Sequence, residues 1–188
     1  LHVCDQNLEQ IEPIKITNTH NLLVDVCQAA KFEGESLTRY RGKYQAKYGD
    51  SPSQICTVLA RSFADIGDIV RGKDLFRGYD DEEKNRRKQL EKKLKEIFKK
   101  IHSEVTRGKK KVEAEARYGG DENYYQLRED WWELNRKDVW KALTCEAYGT
   151  YFRPTCGGGK NPTETQDNCK CINGDVPTYF DYVPQYLR

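Results

Sequence analysis

The 188-residue sequence lacks the patterns that mark common catalytic and metal-binding sites. It has no His-Glu-x-x-His, Gly-x-Ser-x-Gly or Cys-x-x-Cys motif, and its three histidines stand near no nucleophile motif. The Cys169-Lys170-Cys171 stretch has no second cysteine pair at the spacing of a zinc site. We therefore expect no enzyme, no bound metal and no cofactor.

The chain also lacks methionine, a signal peptide and an apolar run of the roughly 18 residues that a membrane span needs. It has no Asn-x-Ser/Thr glycosylation site either. We expect no membrane insertion by this segment. We also expect the chain to be either processed or an internal piece of a longer protein.

Cysteine, by contrast, is abundant. Seven cysteines without zinc spacing indicate disulfide bonds and an oxidising compartment. We expect at least four of them to be bridged and, because the number is odd, one to be unpaired. Cys169 and Cys171 should have separate partners. The full set is Cys4, Cys27, Cys56, Cys145, Cys156, Cys169 and Cys171.

The most regular apolar pattern lies in residues 51–71. Ser51 is a suitable N-cap, Pro52 suits the first helical position, and Gly72 supplies a stop. The pattern predicts a core helix with Ser62 on its outer face. Apolar residues recur at helical spacing along it: Ile55, Val58, Leu59, Phe63, Ile66, Ile69 and Val70.

Helical periodicity recurs on both sides of this stretch. It predicts a short helix from residue 19 to a stop at Gly34, a second helix over 36–48, a long one over 80–108, and one over 121–143. Together with three Trp, twelve Tyr and six Phe, these segments argue for an ordered helical core.

The remaining segments predict irregular structure. Residues 146–178 hold three cysteines, three consecutive glycines and three prolines, which indicates loops held by disulfide bonds. Residues 181–188 predict the entry to another helix. Adjacent Trp131 and Trp132 cannot face the same way, so we expect one to lie in the core and the other to pack on a neighbouring element or to be half exposed. The predicted fold class is mostly α, a helical bundle with disulfide-braced loops.

Positive charge is concentrated in one segment. Residues 81–111 hold thirteen Lys and Arg against six Asp and Glu, while the whole chain carries only +2. At 100° per residue, five lysines fall within a sector about 80° wide and a row about 22 Å long. Glu91 and Glu96 project to either side of it. The row is a candidate glycan-binding site: Lys84, Lys88, Lys92, Lys95 and Lys99.

Several strings resemble the Duffy-binding-like adhesion domains, alpha class, of the malaria parasite erythrocyte membrane protein family. They are LHVC (1–4), ARSFADIGDIVRGKDLF (60–76), LREDWWELNRKDVWKALTC (127–145), YFRPTCGG (151–158) and DVPTYFDYVPQYLR (175–188). They occur in the family's order and cover nearly the whole chain, which makes them far more specific together than any one alone.

The resemblance implies part of a single Duffy-binding-like domain, with a helical core over 1–145 and a cysteine-rich loop region over 146–188 that leads into a truncated helix. It implies the extracellular part of a membrane protein on infected red blood cells. The implied function is cytoadhesion, including rosetting, to a host cell-surface protein or carbohydrate. A sulfated glycosaminoglycan is a candidate partner, and nucleic acid is not expected.

Three other interpretations stay open from the residues alone. The basic segment 81–111 is also typical of a solvated helix face. An intracellular helical protein that binds nucleic acid through this segment would keep its thiols reduced. A small hydrolase that uses a free cysteine would need a thiol with a lowered pKa near a histidine.

Overall fold

The computed structural model describes residues 6–48, 54–76, 78–107 and 111–188. Within these ranges the helices are α1 (Gln6–Glu9), α2 (Thr19–Tyr48), α3 (Gln54–Arg71), α4 (Asp81–Val105), α5 (Lys111–Tyr118) and α6 (Tyr125–Leu143). Two 3-10 turns follow, at Phe180–Tyr182 and Gln185–Leu187. The described part has isolated β-bridges but no extended strand. The predicted mostly α fold is confirmed.

Helix α3 is the centre of the core, as its apolar periodicity predicts. Phe63 is fully buried, and its ring centroid lies 5.1 Å from those of both Trp132 and Trp140 on α6. Gly72 ends the helix with φ +72°, and Lys73 N–H donates to the Asp68 carbonyl at 2.8 Å. The predicted start at Ser51 lies outside the described residues.

The expectation that Ser62 lies on the outer face of α3 is wrong. Ser62 is 0% exposed, and its hydroxyl donates to the Glu33 carboxylate on α2 at 2.7 Å. Because α2 and α6 both pack on α3, contacts cover the polar side of α3 that carries Ser62 as well as its apolar face. The apolar periodicity of α3 shows only its apolar face and could not reveal that the polar side is also buried.

Helix α2 is continuous, so the two predicted helices on either side of Gly34 are one. Gly34 allows close packing: an ideal Cβ on it would lie 1.9 Å from the Leu143 carbonyl oxygen at the end of α6. The residue therefore serves helix–helix contact and does not end a helix. Glycine in a helical pattern has both uses, and only the neighbouring helix decides between them.

Trp131 and Trp132 are both buried and face different neighbours, so the alternative of a half-exposed second Trp is wrong. Trp131 packs edge-on against Phe98 of α4 and donates its ring N–H to the Thr19 hydroxyl at 2.8 Å. Trp132 packs on α3 and donates to the Asp181 carboxylate at 2.8 Å. Helix α6 thus connects α4, α3 and the C-terminal segment.

Two disulfide bonds brace the loop region, Cys56–Cys169 and Cys156–Cys171. The expectations of at least four bridged cysteines and of separate partners for Cys169 and Cys171 are confirmed. The expectation of a single unpaired cysteine is wrong, because Cys27 and Cys145 both carry free thiols. Cys4 lies outside the described residues.

Residues 181–188 form 3-10 turns separated by Pro184, and not the predicted α-helix entry. Their conformation follows from tertiary contacts. Arg136 of α6 binds both oxygens of Asp181 at 2.8 Å, and Arg188 forms ion pairs with Asp65 and Asp68 of α3. These charge-assisted contacts hold the segment against α3 and α6.

Candidate binding surface

Helix α4 presents one apolar face to the core and one basic face to solvent. Its N-cap is Asp80, whose carboxylate accepts from Glu83 N–H at 2.8 Å, and its first turn is acidic, as the helix dipole favours. The apolar face is buried at Leu90, Leu94, Ile97, Phe98 and Ile101.

All five lysines of the predicted row are exposed along the solvent face of α4: Lys84, Lys88, Lys92, Lys95 and Lys99. Lys84 forms a salt bridge with Asp81 at 3.1 Å, and Lys95 donates to the Asn123 side-chain oxygen at 3.1 Å. Both contacts are solvent-exposed, so they compete weakly with a charged ligand. We call these five residues the lysine row.

Two further lysines of α4 bind the chain that precedes α2. One binds the end of α1, and the other binds residues 10–18, which we call the N-terminal arm. Lys93 donates to the Glu9 carbonyl at 2.6 Å, and Lys100 donates to the Pro13 carbonyl. These ammonium groups attach α4 to the preceding chain. The basic segment 81–111 therefore contains two kinds of lysine: those that attach α4 to the preceding chain, and the exposed lysine row.

Glu91 and Glu96 flank the lysine row on opposite sides. The Glu91 carboxylate accepts from both terminal nitrogens of Arg128 on α6, at 2.6 and 2.9 Å. Arg128 is fully buried and also donates to the Ile69 and Val70 carbonyls at the end of α3, at 3.2 and 2.7 Å. Sequence reasoning missed this residue, because an arginine within an aromatic helix carries no separate signal of burial.

A solvent-open groove of about 840 Å³ runs beside the C-terminal half of α4, between this helix and the arm. Three cations and two acids line it, together with two hydroxyl groups. The lining residues are Thr17, Glu96, Lys99, Lys100, Ser103, Glu104 and Arg107. The groove therefore extends the basic surface, with two acidic residues in its lining.

The described residues contain one group of side chains close enough to hold a metal ion together. Ligand atoms of Glu35, in the middle of α2, and of Cys145 and Glu146, just after the end of α6, lie within 4.8 Å of one another. Cys145 and Glu146 are exposed and Glu35 is half-buried. The sequence could not bring Glu35 to this group, since it lies on a different helix.

The free thiol of Cys27 does not have the properties of a nucleophile. Burial, with the nearby Asp138 carboxylate, raises the pKa of Cys27 to about 11. A catalytic cysteine needs a shift in the opposite direction.

In the described part of the chain, no helix combines the length and the apolarity that crossing a bilayer demands.

The chain matches the model of the Duffy binding domain family over residues 1–188. It belongs to this family. The predicted family membership is confirmed, and the arrangement of α3, α6 and the braced loops is that of a Duffy-binding domain. No curated protein matches the chain.

Solved structures of PfEMP1 domains resemble this Duffy-binding chain closely. The NTS-DBL1-alpha and CIDR-gamma double domain of PfEMP1 from the Plasmodium falciparum varO strain is 39% identical, with a TM-score of 0.77. An ICAM-1-binding DBLbeta domain of PfEMP1 is 32% identical with a TM-score of 0.70, and the same domain bound to ICAM-1 is 31% identical with a TM-score of 0.65.

These matches cover nearly all of this chain but only part of the structures. The chain spans 25% of the length of the double domain and 39% and 40% of the two DBLbeta chains. The identity is higher with the alpha-class domain than with the beta-class domain, in line with the predicted alpha class.

Proposed function

We propose that this protein is a cytoadhesion module that binds a host cell-surface receptor. The observation that carries the proposal is its similarity, over its full length, to a PfEMP1 domain that binds ICAM-1. The two disulfide bonds support an extracellular location on infected red blood cells and disfavour an intracellular nucleic-acid-binding protein.

We further propose that the chain forms part of a single Duffy-binding-like domain. Large apolar side chains near its C-terminus support this, since Tyr179, Tyr186 and Leu187 are each at least 66% exposed. An isolated domain rarely exposes such side chains together without an interaction to cover them.

Receptor binding is tested with the labelled, oxidised protein on intact erythrocytes and on endothelial cells that display ICAM-1. We expect saturable binding to one of these cells, and we expect its loss after reduction and alkylation, because the braced loops then unfold. Absence of saturable binding to both cells would reject the adhesion function for this chain.

A second candidate function is binding of sulfated glycan by the lysine row. The five exposed ammonium groups follow one face of α4, and a flexible polyanion can contact several of them while it displaces counterions. Lysine suits such a ligand because it is a mobile point charge. Rosetting would follow if the glycan is carried by erythrocytes.

The test is retention on immobilised heparin over a salt gradient. Reversal of the whole lysine row to glutamate should abolish retention while circular dichroism stays unchanged. A matched control reverses five exposed cations elsewhere, Lys43, Arg61, Lys141, Arg153 and Lys160. Equal loss in both variants would assign retention to net charge and reject the lysine row as a site.

A further inference from the structure

The two sides of the lysine row differ in how their acidic residues are held. Towards α6, Glu91 is bound through both carboxylate oxygens by the buried Arg128. Towards the N-terminal arm, Glu96 and Glu104 are exposed and line the open groove. An anion beside Glu91 therefore meets a carboxylate paired with a guanidinium, whereas an anion beside Glu96 or Glu104 meets a solvated one.

A second acid on the α6 side is also engaged. The Asp121 carboxylate accepts from the backbone N–H groups of Asn123 and Gln126, at 3.0 and 3.3 Å, where α6 begins. Helix N-termini stabilise negative charge at this position. Next to it, the Asn123 side-chain oxygen accepts from Lys95, which leaves the Asn123 amide nitrogen as an additional donor to an oxyanion.

Arg128 cannot contact a ligand itself, because its side chain is 0% exposed. Its effect on the surface is transmitted through Glu91. A buried guanidinium needs its counterion far more than a solvated ammonium does, so Glu91 stays with Arg128. Without Arg128, Glu91 would be free to pair with Lys88 and Lys95, its neighbours three and four positions away on α4.

We propose that a sulfated chain lies on the α6 side of the lysine row, against Lys95 and Asn123. Arg128 is the positioning residue that keeps Glu91 from neutralising this path. The inference rests on the proposed glycan binding and specifies which flank of the lysine row the ligand occupies.

The proposed position of the sulfated chain is tested by adding one negative charge on the α6 side or on the arm side of the lysine row. Asn123→Glu changes the α6 side and Ser103→Glu the arm side, with the same change in net charge. The Asn123→Glu variant should elute from immobilised heparin at clearly lower salt than the Ser103→Glu variant. Equal shifts, or a larger shift for Ser103→Glu, would overturn the proposed path.

The role of Arg128 is tested with Arg128→Gln and with the double variant Arg128→Gln/Glu91→Gln. Lys137→Gln is the charge control, because it removes one positive charge from an exposed residue that is paired with Asp175. Arg128→Gln should elute at lower salt than Lys137→Gln, and the double variant should elute with the wild type. Elution of Arg128→Gln together with Lys137→Gln would overturn the positioning role.

Thermal melting of each variant separates a folding defect from a surface effect. If Arg128→Gln does not fold, the Asn123→Glu and Ser103→Glu pair still decides on which flank the ligand lies. Wild-type protein that passes heparin unretained would reject glycan binding itself, whichever order the variants show.

Discussion

At the residue scale, burial of polar side chains on α3, α6 and the C-terminal segment distinguishes this protein from a simple amphipathic bundle. Ser62 and Arg128 are 0% exposed, and Asp181 is 1% exposed. Each forms hydrogen bonds to another helix or segment, as buried polar groups require. Polar contacts therefore fix which helices meet, in addition to the apolar core.

Ser62→Ala is expected to destabilise the fold by about 1–3 kcal/mol, because it removes the hydroxyl that donates to the buried Glu33 carboxylate. Urea unfolding measures the change. Ser103→Ala is the matched control, since its hydroxyl donates to the Lys99 carbonyl in a solvent-exposed contact. An equal effect of the two substitutions would show that the buried hydrogen bond contributes little.

The free thiols of Cys27 and Cys145 should react at different rates. Cys145 is exposed, whereas burial and Asp138 raise the pKa of Cys27 to about 11. Iodoacetamide near neutral pH, followed by peptide mapping, should label Cys145 first, because the thiolate is the reactive form. Faster labelling of Cys27 would contradict the buried environment.

The same raised pKa predicts a loss of stability in alkali. The folded chain holds the Cys27 proton more tightly than the unfolded chain, so this stability is complete below the ordinary thiol pKa and is lost as pH rises through about 11. A Cys27→Ser variant, compared with the wild type in urea unfolding across this range, should show a weaker decline with pH. Parallel declines would contradict it.

At the element scale, the close contact of α2 with α6 depends on Gly34. Ala at this position would place a methyl group 1.9 Å from the Leu143 carbonyl oxygen, so the helices must separate. Gly34→Ala is expected to cost at least about 1–3 kcal/mol despite alanine's higher helix propensity.

Ser36→Ala on the same helix is the control, because Ser36 is exposed and the substitution raises helix propensity without a clash. Thermal melting of both variants gives the comparison. If Gly34→Ala melted at or above the wild-type temperature, the helices would be free to move apart at little cost.

At the scale of the whole molecule, the Cys56–Cys169 bond joins the start of α3 to the loop region. It closes 113 residues, whereas Cys156–Cys171 closes 15. The loop-entropy estimate is about 5 kcal/mol for the first and about 3 kcal/mol for the second. Paired alanine replacement of the first bond should therefore lower the urea midpoint more; the reverse order would contradict the entropy argument.

The sequence by itself determined the family, the mostly α fold, the core face of α3, the exposed face of α4 and the need for disulfide bonds. The family was recognised from motif strings that resemble it, whereas the other properties follow from local periodicity, capping and composition, which act over one or two helical turns. For the same reason the five lysines could be placed on one face from their spacing alone.

Only the tertiary structure decided which cysteines pair, that Gly34 serves packing, that Ser62 is buried, and that Arg128 holds Glu91. Each of these depends on a neighbour far away in sequence: Leu143 for Gly34, Glu33 for Ser62, and Glu91 for Arg128. Local patterns report how one helix divides into apolar and polar faces. They carry no information on which polar side chain a second helix will cover, because that depends on the packing of the whole chain.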